Sequence, residues 1–295
     1  MRTDGAPARA GEAVWRAPVI VEPVTVAGLR TILRRSGPDQ DDTAFVFVHG
    51  NPGSSEDWTA LLGAVGRIGR AVAVDMPGFG RADKPKDFTY TVEGYARHLA
   101  RLLDHLGIAR AHLVLHDFGG PWGLAWAAAH PDSFASAVLI NTGVLLGYHW
   151  HYMARIWRTP LLGELSMATT TRAGFRLLLK HGNPRGLPGP FVDRMFDEFD
   201  RGTRRAVLRL YRATDPAAGA EPLAALLRAH PRPVRVIWGA RDPYLPLRFA
   251  HQQGDVFPGA EIHVLDDSGH FPFADDPDRV EDLVMAFAAR VARPV

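Results

Sequence analysis

Ala111-His112-Leu113-Val114-Leu115 is a short apolar run, and His116-Asp117-Phe118-Gly119-Gly120 follows it directly, ahead of an Ala-, Trp- and Leu-rich segment that starts at Pro121-Trp122-Gly123. An apolar strand ending at Leu115 and a Gly pair opening a helix make a strand–tight turn–helix unit. Small residues belong around such a turn, because the backbone of its central residue is strained and its neighbours approach closely. In the common form of the motif, G-x-S-x-G, the turn holds out a serine. Here it holds out the carboxylate of Asp117. A carboxylate cannot perform serine acyl transfer, but it can attack a saturated carbon, displace a leaving group and become an ester itself. The competing reading is that Asp117 merely caps the helix beginning near Gly119, since Asp is a favoured N-cap.

The surrounding chain repeats the same alternation. Val19 to Leu33 alternates and turns at Ala27-Gly28, as a β-hairpin does. Short apolar runs follow at Ala44–Val48, Ala71–Val74, His112–Leu115, Ala137–Ile140, Val234–Trp238 and Ile262–Leu265. Their Val, Ile, Leu and Ala content suits buried parallel strands. Between them lie helical patterns, the clearest placing Tyr95, Leu99, Leu102, Leu103 and Leu106 on one face and Arg97, Arg101 and Asp104 off it. The expected fold is therefore α/β: a mostly parallel central sheet with helices on both faces. The alternation breaks between Thr142 and Pro222, where the chain is helical, aromatic and interrupted by the turn-rich run from Gly182 to Pro190. That segment reads as an inserted helical cap. The expected division is a core of 1–141 and 223–295 and a cap of 142–222. Trp150, Met153, Trp157, Met167, Phe175, Phe191, Met195 and Phe199 are available to line a pocket or to form the cap's own core.

Composition narrows the function classes. With 34 basic against 32 acidic residues the net charge is +2, and without a long basic run the chain is a poor match for a nucleic-acid backbone. There are no cysteines, so disulfides, thiolate metal sites and a Cys nucleophile are excluded. No run approaches the ~20 apolar residues of a membrane span, and Met1 to Trp15 lacks the apolar stretch of a signal peptide. Cytoplasmic is the default expectation. His149 and His151 invite a metal reading, but their two-residue spacing does not align them on a helix and no carboxylate accompanies them.

Four segments carry candidate chemistry. His49-Gly50-Asn51-Pro52 follows a strand, where the backbone N–H groups of Asn51 and Phe118 can form an oxyanion hole. Asp117 is the candidate nucleophile. Asp242, in Gly239-Ala240-Arg241-Asp242-Pro243, lies just beyond a strand, a position that also suits a plain turn residue. His270, in Ser268-Gly269-His270-Phe271, follows the last strand. The chain order is nucleophile, acid, histidine.

On these residues the chain resembles the α/β-hydrolase superfamily, and specifically its aspartate-nucleophile branch of epoxide hydrolases and haloalkane dehalogenases. The similarity spans roughly Val19 to Ala289 and includes the loop from Asp75-Met76-Pro77-Gly78-Phe79-Gly80 to Pro85. The resemblance implies that Asp117 forms an alkyl-enzyme ester and that His270, oriented by Asp242, activates the water that hydrolyses it. It implies no cofactor. The expected partner is a small apolar organic substrate, with no nucleic acid or membrane, and the expected assembly is a monomer or homodimer.

The leaving group divides the branch. Family epoxide hydrolases use cap tyrosines as proton donors. Leu210-Tyr211-Arg212 resembles the second tyrosine motif, and Tyr148 or Tyr152 can serve as the first. Haloalkane dehalogenases place an Asn in the His49–Pro52 type of motif, which Asn51 matches, and a Trp after the nucleophile, which Phe118 does not. Trp150 is a possible substitute N–H donor from the cap. The carboxylate-binding arginines of fluoroacetate dehalogenases have no match at Phe118 or Pro121. Epoxide hydrolysis is the preferred expectation, dehalogenation the runner-up, and a non-hydrolytic enzyme or small-molecule receptor the third reading.

Overall fold

The computed structural model describes residues 16–216 and 218–292. Eight strands form one sheet: β1 (Ile20–Val26), β2 (Leu29–Ser36), β3 (Thr43–Val48), β4 (Arg70–Val74), β5 (Arg110–His116), β6 (Phe134–Ile140), β7 (Val234–Gly239) and β8 (Glu261–Leu265). The spatial order is β1-β2-β4-β3-β5-β6-β7-β8. β1 and β2 pair antiparallel, β2 pairs antiparallel with β4, and all later pairs are parallel. The hairpin and all six later strands read from the sequence are present. β4, β6 and β7 are buried along their whole length, which is why they read as continuous apolar runs rather than alternating ones.

The helices are α1 (Thr59–Val65), α2 (Val92–His105), α3 (Gly119–Ala129), α4 (Tyr152–Arg158), α5 (Leu162–Thr169), α6 (Arg172–Gly182), α7 (Gly189–Glu198), α8 (Arg201–Ala213), α9 (Ala220–Ala229), α10 (Arg248–Val256), α11 (Pro272–Asp275) and α12 (Pro277–Val291). α1 packs with α12, while α2, α3, α9 and α10 make a second row, α2 against α3, α3 against α9 and α9 against α10. In α2 the Thr91 side chain caps the start by accepting from Gly94 N–H at 3.1 Å. Its Tyr95, Leu99, Leu102 and Leu103 are buried while Arg97, Arg101 and Asp104 are exposed, as the pattern predicts.

α4 to α8 lie between β6 and α9 and pack on one another, α4 on α5 and α8, and α6 on α7. Residue 222, the expected end of the inserted segment, falls inside α9, whose packing against α3 joins it to the helices of the sheet. One tether from this cap to the sheet is the half-buried Arg194 of α7, which donates to Ser54 Oγ at 2.9 Å and to the Asp57 carboxylate.

Strand order positions the site. From β3 the chain crosses outward to β4, then returns to β5 on the opposite side of β3. Such a reversal opens a crevice beyond the carboxyl ends of the two strands, where open α/β sheets bind ligands. Asn51 follows β3 and Asp117 follows β5, so both face that crevice.

Candidate active site

Asp117 leaves β5 with φ +47, a left-handed conformation that Asp tolerates better than most residues. The turn is locked from below: Thr142 Oγ donates to the Asp117 carbonyl at 2.6 Å and Gly120 N–H to the same oxygen at 2.9 Å. The close approach forces glycine at position 50, since a Cβ there would stand 2.4 Å from Asp117 Oδ1. Asp117 does not cap α3. Phe118 holds the N-cap position, without a side-chain cap. The carboxylate instead receives Asn51 N–H on Oδ1 at 2.7 Å, together with the Phe118 amide. Burial pushes the Asp117 carboxyl up, opposed by the charge of His270 and by these two amides.

Asp242 and His270 arrive from β7 and β8. Asp242 is both turn residue and acid. Its Oδ1 accepts Tyr244 N–H at 2.8 Å and Leu245 N–H at 3.0 Å, closing the turn. Its Oδ2 receives His270 Nδ1–H at 2.7 Å. In the neutral ring that bond leaves His270 Nε2 unprotonated, and Nε2 stands 3.7 Å from Asp117 Oδ2. Burial disfavours the imidazolium, but the charge and hydrogen bond of Asp242 and the charge of Asp117 outweigh it, so the His270 pKa lies above 6.5. Asn141, at the end of β6, was not singled out as a site residue; its Nδ2 donates to Asp242 Oδ2 at 2.8 Å.

The other histidines near the crevice are structural in their contacts. His49 Nε2 accepts Met76 N–H at 2.9 Å while its Nδ1–H donates to Gly50 O. His116 Nε2–H donates to His270 O at 2.8 Å. Burial lowers both pKa values, keeping the rings neutral. Among the described residues no group of three or more acidic or histidine side chains is placed to hold a metal ion.

Two chambers meet at Asp117. The smaller, about 70 Å³, lies toward His270 and is lined by Met153, Trp157, Met167, Phe175, Leu179 and Phe199. The larger, about 570 Å³, runs past Phe118 and Trp150 between α3 and α9. Of the apolar residues expected around a pocket, Phe191 and Met195 line neither chamber. Phe191 packs on Phe271 at 5.9 Å between ring centres, and Met195 is buried within the cap.

The expected leaving-group residues separate clearly. Tyr211 lines both chambers; its hydroxyl accepts from Asn51 Nδ2 at 3.4 Å, and burial pushes its pKa well above 10. Trp150 lines the larger chamber, with a buried Nε1–H that has no partner among the described residues. Tyr148 reaches the same chamber, but its hydroxyl donates to the Tyr244 carbonyl at 3.2 Å and so fastens the cap to the sheet. Tyr152 is 48% exposed and borders neither chamber, because it begins α4 on the outer side. His151, weighed from the sequence only as a metal ligand, and Tyr244, not named there, line both chambers. The position of Tyr244 two residues after Asp242 is the signal that would have found it. The Nδ1 of His151 accepts Ala154 N–H at 3.3 Å and caps α4, and burial lowers its pKa to about 4.

The arrangement therefore holds the carboxylate on two amides, with Asn51 N–H on Oδ1, leaves Oδ2 facing the histidine, and sets the histidine as a proton acceptor. That is the equipment for nucleophilic attack by Asp117 followed by general-base hydrolysis. Comparison with known proteins bears on the family. A curated relative, an uncharacterized protein of Mycobacterium tuberculosis, is 30% identical over 92% of this chain and 82% of its own. A cis-3-alkyl-4-alkyloxetan-2-one decarboxylase of Xanthomonas campestris is 28% identical over 86% of this chain and 90% of its own. Among solved structures, a haloalkane dehalogenase of Bradyrhizobium elkanii superposes with a TM-score of 0.80 at 25% identity, covering 93% of this chain and 99% of that one. A Vigna radiata epoxide hydrolase mutant superposes at 0.78 and 20% identity, covering 92% and 99%. The family pattern of the α/β hydrolase fold matches residues 43–277, and the chain belongs to that family.

Proposed function

We propose that this α/β-fold hydrolase opens epoxides through an ester on Asp117. The observation that carries the reading is the split of the Asp117 carboxylate: Oδ1 held by Asn51 N–H at 2.7 Å, Oδ2 exposed to the chambers. Oδ2 attacks a ring carbon in line with the breaking C–O bond. The electron pair goes to the ring oxygen, which takes the Tyr211 hydroxyl proton. Burial keeps that hydroxyl protonated, and among the described residues its proton has no acceptor. His270 Nε2 then removes a proton from water, the hydroxide adds to Cγ of Asp117, and the developing oxyanion on Oδ1 rests on the Asn51 and Phe118 amides. Collapse releases the second alcohol oxygen of the diol, which takes its proton from the His270 imidazolium, and the proton that water left on the Asp117 carboxyl returns to the Tyr211 oxygen. Each backbone donor is worth ~10²–10³ in rate. The substrate is a small apolar organic molecule, in keeping with the Phe, Trp, Met and Leu lining. The name of the Xanthomonas relative likewise carries a strained oxygen ring, an oxetan-2-one.

Haloalkane dehalogenation is the runner-up. It is favoured by the unpartnered Trp150 Nε1–H and by Asn51 Nδ2, which together can hold a halide, and weakened by Phe118, which offers only its backbone. A receptor is disfavoured, because the Asp117–His270–Asp242 relay has no use in binding alone. The experiment is the intact mass of His270→Ala after exposure to pooled epoxides and bromoalkanes. A gain of a whole epoxide is expected. A gain of an alkyl group without bromine would establish dehalogenation, and no adduct with any substrate would sink the nucleophile.

A further inference from the structure

The turn-rich run after α6 has no part in the chemistry above, yet it touches the residue that does. His270 N–H donates to the Gly182 carbonyl at 2.9 Å, and the next amide, Phe271 N–H, donates to Asn183 Oδ1 at 2.8 Å. Asn183 is fully buried, and its Nδ2 is fixed on the Leu179 carbonyl at 2.8 Å. The approach is close enough to require glycine at 269, where a Cβ would stand 2.2 Å from the Gly182 carbonyl oxygen. On the sheet side, His116 holds the His270 carbonyl and Asp275 Oδ2 accepts Gly269 N–H at 2.8 Å. The loop that carries the base is thus gripped from both sides, by the sheet and by the cap. The parts used in the first step differ. Among the described residues, Asp117 and the Asn51 and Phe118 amides are held by β3, β5, Thr142 and Gly120, with no bond from the run after α6.

We infer that Asn183 is a positioning residue for His270, so that the run after α6 controls hydrolysis of the ester but not its formation. The inference rests on the Asp117 ester mechanism. A buried acceptor that fixes the amide after His270, beside the Gly182 carbonyl that fixes the His270 amide itself, sets the place of the imidazole beside Asp117, and displacements near 1 Å can cost about 10²-fold in rate. Removing the Asn183 side chain loosens that hold while leaving the nucleophile untouched.

The test compares wild type, Asn183→Ala and His270→Ala with styrene oxide, by rapid quench and intact mass alongside steady-state kinetics. For Asn183→Ala, kcat should fall roughly 10- to 100-fold, KM should fall with it, and kcat/KM should hold, with the ester accumulating at steady state. Asn183→Asp keeps the acceptor for Phe271 N–H and should recover most of the hydrolysis rate. If the alanine variant does not fold, Asn183→Ser replaces it, its hydroxyl stopping short of the amide. A merely structural role would lower kcat and kcat/KM together with no ester build-up, and that result would overturn the inference while the ester in His270→Ala still stood. No ester in His270→Ala would instead remove the mechanism itself. A readout free of substrate is the proton resonance of His270 Nδ1–H. It should broaden by exchange in Asn183→Ala, and an unchanged resonance would overturn the positioning role.

Discussion

The Asn141 carboxamide donates to the Asp242 carboxylate across 2.8 Å, while its own oxygen accepts Gly239 N–H at 2.8 Å. β6 and β7 are neighbours, so a residue at the end of one orients the acid at the end of the other. Asn141 Nδ2, the Tyr244 and Leu245 amides and His270 Nδ1 all donate to the Asp242 carboxylate, which holds it toward the imidazole. In Asp242→Asn the amide would set the wrong imidazole tautomer or lose the bond. Ester hydrolysis is expected to fall by about 10⁴-fold, with the adduct trapped and visible by mass. Full turnover in this variant would take Asp242 out of the relay.

Tyr211→Phe separates the two leaving-group readings. It removes the proton given to an alkoxide, so epoxide opening should slow by about 10²–10⁴-fold. Alkylation of Asp117 by a bromoalkane, which needs no proton, should change little. Rates of adduct formation in a His270→Ala background give both numbers directly. Equal loss on both substrates would show that Tyr211 shapes the chamber rather than supplying a proton.

The pH dependence has a definite sign. His270 must be neutral to take a proton from water, and its folded pKa lies above 6.5. Hydrolysis of the ester should therefore decline as pH falls through that value. The Asp117 charge is one cause of the upward shift, and esterification removes it. The acid limb of single-turnover hydrolysis should accordingly lie below the pKa of His270 measured by NMR in the free protein. A limb at or above the free value would show that Asp117 does not face the imidazole in solution.

Buried histidines give a separate test on stability. Burial lowers the pKa of each of His98, His112 and His151 from 6.5 to about 4. Between these values the unfolded chain binds protons that the folded chain refuses. Stability thus falls as pH drops from about 6.5 to 4, and then levels off. Thermal melts across that window should show the decline. His112→Gln, which removes one such group (its Nδ1 is paired with Ser136 Oγ at 2.8 Å), should flatten it. A melting temperature independent of pH between 7 and 4 would contradict the burial of these rings.

Much of this was legible beforehand, for local reasons. Val46, Val72, Val138 and Val236 sit in short β-rich runs that have few other uses, and Asp117, Asp242 and His270 each stand just past such a run. What stayed hidden depends on contacts between distant parts of the chain. Nothing near Asn141 in sequence announces Asp242, and nothing near Asn183 announces Phe271. Within the cap, helices are covered on one side by the chambers and on another by each other, so apolar spacing alone could not send Phe199 inward to the cavity and Phe191 away from it. Tyr148 and Tyr152 are four residues apart, yet one hydroxyl reaches the sheet and the other ring is half exposed.

His116 and Ile140 pair in register on β5 and β6, and the residue after each, Asp117 and Asn141, is left-handed, with φ +47 and +42. Two unfavourable backbone turns thus stand side by side, each bearing a short polar side chain that glycine would relieve of its penalty. Evolution toward heat tolerance alone would favour glycine at both places and arrive at a sturdier, inert protein. Keeping Asp and Asn there is a cost that only selection for turnover would sustain.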